Sequence, residues 1–192
     1  MTKPTDKELM VAVQNGDLEK LGDLFERHHS RIYSFCFRLT GKAAAAEDLT
    51  QETFLRALRY NRTFKGTSDF LPWLYRVARN VANDHFRRRG VPEHGVETLP
   101  EVPSGERPVA EALELAEDSE RLRAALDRLP AAGREVLVLS RFEYRKYEEI
   151  GQILGCSVGA VKTRAHRALK QLGEIYRGLA AQGSKRAREV AS

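Results

Sequence analysis

The sequence predicts an all-α protein: two small helical domains joined by a flexible linker, the second containing a helix-turn-helix. Three observations carry that expectation. Apolar residues recur at intervals of three and four along most of the chain, and nowhere do they alternate at period two over the length of a strand. Residues 90–118 interrupt this pattern with four prolines, three glycines and almost no apolar periodicity before Val109. Charge divides at the same places, with 16 Lys and Arg against 11 Asp and Glu in 1–89, 1 against 8 in 90–118, and 15 against 8 in 119–192. Two basic bodies, 1–89 and 119–180, therefore flank an acidic flexible linker, 90–118, and a basic tail, 181–192, is expected to be disordered. Basic bodies of this kind suit a polyanionic partner.

The elements follow in order. Thr5-x-x-Glu8 reads as a capping box that opens a short helix carrying Leu9, Met10 and Val13 and stopping at Asn15-Gly16. Asp17 is expected to cap a second helix whose stripe is Leu18, Leu21, Leu24, Phe25, His28, Ile32, Phe35, Cys36 and Leu39, ended by Gly41. A third helix runs from about Ala43 to Tyr60, and the composition of 61–69 is that of a loop. The fourth spans Phe70 to about Arg89, with Pro72 tolerable in its first turn, where the missing N–H would be unpaired anyway. Helical spacing resumes at Leu122, Ala125, Leu126 and Leu129, breaks at Pro130, and returns through Val136, Leu137 and Leu139.

Composition excludes several classes. Hydrophobic content of 42% and charge of 31% in 192 residues are ordinary for a globular protein. No apolar run approaches the roughly 20 residues of a bilayer span, and Thr2-Lys3-Pro4-Thr5-Asp6 lacks the apolar core of a signal peptide. A cytoplasmic protein without membrane insertion is expected. Cys36 and Cys156 lie far apart with no ligand at zinc spacing, so both read as packing residues, and neither a metal nor any other cofactor is expected.

The densest local motif is Tyr147 to Lys162. Ile150, Leu154, Val158 and Val161 supply the core of two short helices at a steep angle, Gly155 permits the turn, Ser157 caps the second helix, and Gly151 lets the two approach. At 100° per residue, Val161, Ala165, Ala168, Leu169, Leu172 and Tyr176 fall on one stripe. Thr163, Arg167 and Lys170 fall opposite, flanked by Arg164 and His166, with Lys162 nearer the apolar edge. Such a face suits the major groove, where these groups reach base edges and phosphates. A helical hairpin with a solvated basic face is the alternative.

Two motifs stand in the first body. On the third helix Asp48, Glu52, Leu55 and Arg59 share a face, with Gln51 at its edge: either a partly polar protein interface anchored by one leucine, or a solvated face with one exposed Leu. On the fourth, Phe70, Trp73, Leu74, Val77, Val81 and Phe86 form the expected buried stripe. Away from it stand Arg76, Arg79, Asn80, Asn83 and Arg87, next to the loop Phe64–Asp69 with its Gly66, Thr67 and Ser68. Donors beside a loop carrying an aromatic suit unpaired DNA, which is held by charge together with stacking or flipped-base pockets. Trp73 is expected in the core rather than as a stacking platform.

Together these segments resemble the extracytoplasmic-function (ECF) sigma factors of the bacterial sigma-70 family, over nearly the whole chain outside the linker. Asp48-Leu49-x-Gln51-Glu52 is similar to the family's segment for the clamp helices of the largest subunit of core RNA polymerase. Phe64 through Asn80, with Trp73-Leu74-Tyr75-Arg76, resembles the loop and helix that melt and read the −10 element. Leu129-Pro130, Arg134, Tyr147-Glu148-Glu149-Ile150 and Val161-Lys162-Thr163-Arg164 match the domain that reads the −35 element.

The resemblance implies polymerase binding through Asp48, Gln51, Glu52 and Leu55. It implies −10 DNA binding through Phe64, Gly66, Thr67, Ser68, Arg76, Arg79, Asn80 and Asn83, and −35 DNA binding through Lys162, Thr163, Arg164, His166, Arg167 and Lys170. It also implies an anti-sigma partner, and a linker that threads toward the RNA-exit path. Two positions depart from the pattern: Lys146 stands where the family often has a capping Ser, and Ala160 where it commonly has Thr. The function implied is promoter recognition, DNA melting and transcription initiation without enzymatic activity of the chain's own. The rival reading is a stand-alone helix-turn-helix regulator, which leaves the first body unexplained.

Overall fold

A computed structural model describes residues 3–89 and 119–190, with side chains described for 3–88 and 119–182; the expected linker, 90–118, lies outside the described residues. Helix α1 (Asp6–Gln14) opens on the expected capping box. The Thr5 N–H donates to the Glu8 carboxylate at 2.7 Å, and Thr5 Oγ1 accepts from the Glu8 N–H at 3.3 Å. That backbone bond, with the Thr5 hydroxyl, holds the Glu8 carboxyl below its ordinary range. Helix α2 (Glu19–Thr40) begins without a side-chain cap, Leu18 standing at its entry. The expectation for Asp17 is thus corrected: its N–H bonds the Ala12 carbonyl at 3.0 Å, closing the turn onto α1. Gly41 ends α2 at φ +66°, a left-handed cap that suits glycine.

Helix α3 (Ala43–Arg59) packs against α2, and a short 3-10 turn (Asn61–Thr63) leads toward α4 (Phe70–Arg89). Leu24, Ile32, Phe35 and Cys36 from α2 meet Phe54 and Ala57 of α3 and Leu74, Tyr75 and Ala78 of α4 in the core. The Cys36 thiol is pushed up to about 12 by burial, which makes it a packing group rather than a reactive one.

In the second body helical residues 119–127 form α5, and α6 (Ala131–Leu137) follows Pro130. A wider π-type turn over Val138–Phe142 comes next, closed by the Glu143 N–H on the Val138 carbonyl at 3.0 Å. Helix α7 (Tyr147–Leu154) and helix α8 (Val158–Val190) complete the fold. The backbone of α8 continues through 181–190, the segment expected as a tail, with no proline to stop it. Leu169, expected in the buried stripe, is 38% exposed.

The two bodies pack directly on each other, so that one cluster of buried apolar residues runs through both. Their contact is polar as well. Tyr75 of α4 donates its hydroxyl to the Glu143 carboxylate at 2.6 Å, and Arg38 of α2 lies 3.6 Å from the other oxygen of Glu143 while covering the Phe142 ring at 4.8 Å. Arg79 of α4 donates through Nε to both oxygens of Glu135 at 3.1 Å. Arg134 donates to the carbonyl of Leu39, at the end of α2, where helical carbonyls lack a partner of their own.

Candidate nucleic-acid interface

The second body presents its site on α8. Ser157 caps the helix by accepting the Ala160 N–H at 3.2 Å, and Gly155 makes the turn before it at φ +67°. A Cβ on Gly151 would stand 2.8 Å from the Cys156 carbonyl oxygen, so the close approach of α7 to the turn requires glycine. Lys146 is compensated as a cap from the other side: its N–H donates to the Glu149 carboxylate at 2.8 Å.

With Val161, Ala165 and Ala168 buried, the remaining face stands clear. Lys162, Thr163, His166, Arg167 and Lys170 are exposed, and Arg164 is half-buried. Thr163, Arg164 and Arg167 line one side of an open groove of about 440 Å³, whose other wall includes Gly133 of α6. A Cβ on Gly133 would meet the Ala168 Cβ at 3.2 Å, which shows how closely α6 is pressed to the back of α8. Cations, a hydroxyl and an imidazole over a fixed apolar back are able to reach base edges and phosphates without disturbing the core.

The first body divides its candidate residues. Arg76, Asn80 and Asn83 are exposed on α4, Thr67 and Ser68 are exposed in the loop, and Gly66 is half-buried. Ser68 bonds back to the Lys65 carbonyl through both its N–H (2.9 Å) and its hydroxyl (2.8 Å), which shapes a tight turn. Two residues are not free. Arg79 is tied to Glu135, and Phe64 is 2% exposed, wedged edge-on against Trp73 at 5.5 Å and Phe70 at 5.9 Å. Phe64, expected among the −10 residues, has its ring in the core, and the Gln14 amide donates to its carbonyl at 2.8 Å to pin the loop. Trp73 lies in the core as expected, its Nε1–H donating to the Thr63 hydroxyl at 3.2 Å.

On α3, Asp48 and Gln51 are exposed and Leu55 is 60% exposed, while Glu52 is half-buried. Glu52 takes part in a staple, because Arg56 reaches both Glu52 and Asp84 of α4 at 2.6 Å. The bond from Arg56 lowers the Asp84 carboxyl below its ordinary range, and the two acceptors raise the guanidinium. Sequence reasoning missed Glu135 and Glu143. Their trace in the sequence is a pair of acids flanking residues 136–142, a stretch that opens with the apolar run Val136–Leu139. Among the described residues no group of His, Cys, Asp and Glu is placed to hold a metal ion, and no helix is long and apolar enough to cross a membrane.

Comparison with known proteins agrees with this division. Residues 24–91 match the model of Sigma-70 region 2, and residues 119–172 match that of Sigma-70 region 4. The chain is 37% identical over 180 residues to the ECF RNA polymerase sigma factor SigE of Mycolicibacterium smegmatis, covering 88% of this chain and 68% of that protein. It is 34% identical over 168 residues to the RNA polymerase sigma factor CarQ of Myxococcus xanthus, covering 86% and 94% respectively. Among solved structures, CnrH in complex with the cytosolic domain of CnrY superposes with a TM-score of 0.69 at 25% identity, over 90% of this chain and 97% of that one. With the helix-turn-helix in the second body, the α3–α4 unit in the first and relatives matched along both, the chain belongs to the ECF sigma factors of the sigma-70 family.

Proposed function

We propose that this chain binds core RNA polymerase and directs it to promoters, taking the −35 element on α8 and the melted −10 strand on α4 and the loop before it. The observation that carries the reading is the α8 face: five exposed polar or basic residues over Val161, Ala165 and Ala168, all fixed by a capped turn. Exposed Asp48, Gln51 and Leu55 offer the clamp helices of the largest subunit a leucine anchor with a polar rim. Strand capture falls on Arg76, Asn80, Asn83, Thr67 and Ser68, with Gly66 giving close approach, and Phe64 holds the loop in place. The chain selects sequence and captures a strand while polymerase performs the chemistry, in the cytoplasm. An anti-sigma protein is a further partner, a reading supported by the likeness to CnrH, which was solved bound to CnrY.

A stand-alone regulator would use α8 alone and leave the α3 face without a task. Titrating labelled chain with purified core RNA polymerase separates the two. The sigma reading expects a saturable one-to-one complex, weakened by Asp48→Lys; no complex at micromolar concentrations would remove it.

A further inference from the structure

Helix α3 carries opposite charges at its two ends. Glu47, Asp48 and Glu52 lie in its first ten residues, whereas no acid stands between Glu52 and Asp69, a stretch that holds Arg56, Arg59, Arg62 and Lys65. Arg56 is committed to Glu52 and Asp84. Arg59, Arg62 and Lys65 are exposed and in no ion pair among the described residues. A cation in the last turn of a helix offsets the helix dipole, which accounts for Arg59. Arg62 and Lys65 lie beyond the helix and have no such reason to be there.

Among these cations stands Tyr60, 49% exposed. Of the large apolar side chains exposed among the described residues, Tyr60 and Tyr144 are the aromatic ones, and Tyr60 alone belongs to the first body. Its backbone is held from three sides. The Tyr60 N–H donates to the Arg56 carbonyl at 2.8 Å, and the Tyr60 carbonyl accepts the Thr63 N–H at 2.9 Å and the Thr63 hydroxyl at 2.8 Å. That hydroxyl oxygen accepts the Trp73 Nε1–H at 3.2 Å, which ties the turn to α4. The Gln14 amide donates to the Asn61 and Phe64 carbonyls, both at 2.8 Å, which ties it to α1.

An exposed aromatic on a fixed backbone beside unpaired cations has both parts of a single-strand site: a ring face that takes any base, and charge that follows the phosphates. Fixing the backbone in advance lowers the ordering cost of binding. The place is also suitable. Trp73, to which the turn is tied, lies one turn before Arg76 and about 10 Å along α4 from Asn80, at about 1.5 Å per residue. Phe64, the aromatic of the neighbouring loop, is sealed in the core and leaves stacking to another ring.

We propose that Tyr60 is a stacking platform for one unpaired base of the melted promoter strand, with Arg59, Arg62 and Lys65 holding the phosphates beside it. The proposal rests on the promoter reading above and adds a contact outside the helix and loop assigned there to strand capture.

The test uses the full chain in complex with core RNA polymerase, on a template selected by its own transcripts and held open around −10 by mismatches. An abasic nucleotide is placed at each position of the open strand in turn, and affinity is measured by titration. On unmodified DNA, Tyr60→Leu, which keeps apolar bulk without the ring, should bind about tenfold more weakly, within the range of one stacked base. Tyr60→Phe should restore the affinity, because stacking needs the ring and not the hydroxyl. At one abasic position the wild type should fall to the level of Tyr60→Leu, while Tyr60→Leu loses nothing further; a merely structural role gives no such position. Arg62→Ala with Lys65→Ala should lower the slope of log affinity against log salt by about 1.4, two phosphates at about 0.7 each on a single strand. Equal affinity of Tyr60→Leu and wild type, or a loss without a matching abasic position, would overturn the platform. A loss of affinity for core polymerase itself would do the same by giving Tyr60 to the protein interface. Failure of the wild type to select any template refutes the promoter reading and the platform with it, whereas a selected template bound equally by Tyr60→Leu removes the platform alone.

Discussion

Helices α4 and α8 are built from the same parts, an apolar stripe buried in a small helical body and a row of basic and amide groups on the other side, yet they differ in what occupies that row. On α8 the row is free: Lys162, Thr163, His166, Arg167 and Lys170 all stand in solvent. On α4 it is divided, with Arg76, Asn80 and Asn83 exposed and Arg79 held by Glu135 from the other body. The loop beside α4 is divided in the same way, since Thr67 and Ser68 are exposed while Phe64 is sealed among Phe70 and Trp73. A helix facing duplex DNA can be a simple exposed surface. The helix proposed for the single strand sits in a packed setting where Arg79 already has a protein partner.

The largest effect is expected at Phe64. Phe64→Ala should cost about 3–5 kcal/mol of stability, because the ring is buried, and its melting temperature should fall before any DNA defect is read. A stable Phe64→Ala protein with a selective loss of strand binding would return the ring to DNA. On the exposed part of α4, Arg76→Ala with Asn80→Ala should leave the fold intact. It should slow open-complex formation by ten- to a hundredfold, the scale of about 1–3 kcal/mol expected for lost strand contacts. A pre-melted bubble should restore the part of the loss that belongs to melting; full activity on duplex templates would contradict the assignment.

How much of this was legible in the sequence depends on the range of the interaction. Local rules gave the capping box at Thr5 and Glu8, the Gly41 and Gly155 turns, the Ser157 cap and the buried stripe of α8 from Val161 to Ala168, all settled within a few residues. Helical wheels located the exposed Asp48–Leu55 face and the outward α4 residues. What stayed hidden depends on partners distant in the chain. Nothing near Arg79 announces Glu135, 56 residues on, nor anything near Tyr75 announces Glu143, 68 residues on. Phe64 misled for the same reason, since its loop composition reads as surface while Phe70 and Trp73 enclose the ring.

On α8 the exposed row is expected to divide between reading bases and holding phosphates. Arg167→Ala should cost about 1–3 kcal/mol and relax discrimination at one −35 position, because the correct base loses a partner that wrong bases lack. Lys170→Ala should instead weaken all sequences alike and reduce the salt dependence by about one released counterion. Titrations on matched and singly mismatched sites at several salt concentrations separate the two, and uniform losses from both would make Arg167 a phosphate contact.

The smallest effect on the fold is expected on α3. Asp48→Lys should change stability by less than about 0.5 kcal/mol, as for an exposed helix charge. Glu52→Lys should cost about 1 kcal/mol, because it places a cation beside Arg56 in the staple to Asp84. Thermal melts of the two variants side by side decide the point, and equal stability would mean the staple contributes nothing.

Run-off transcription decides whether this chain gives core RNA polymerase its promoter. Core enzyme is mixed with the chain and a pool of duplex templates randomised at the −35 and −10 positions, and the transcripts are sequenced. The account predicts no specific product from core alone. With the chain added it predicts enrichment at both elements, the −35 preference altered by Arg167→Ala and the −10 product lost with Asn80→Ala. Transcripts no different from those of core alone, from a chain shown to be folded, would contradict it.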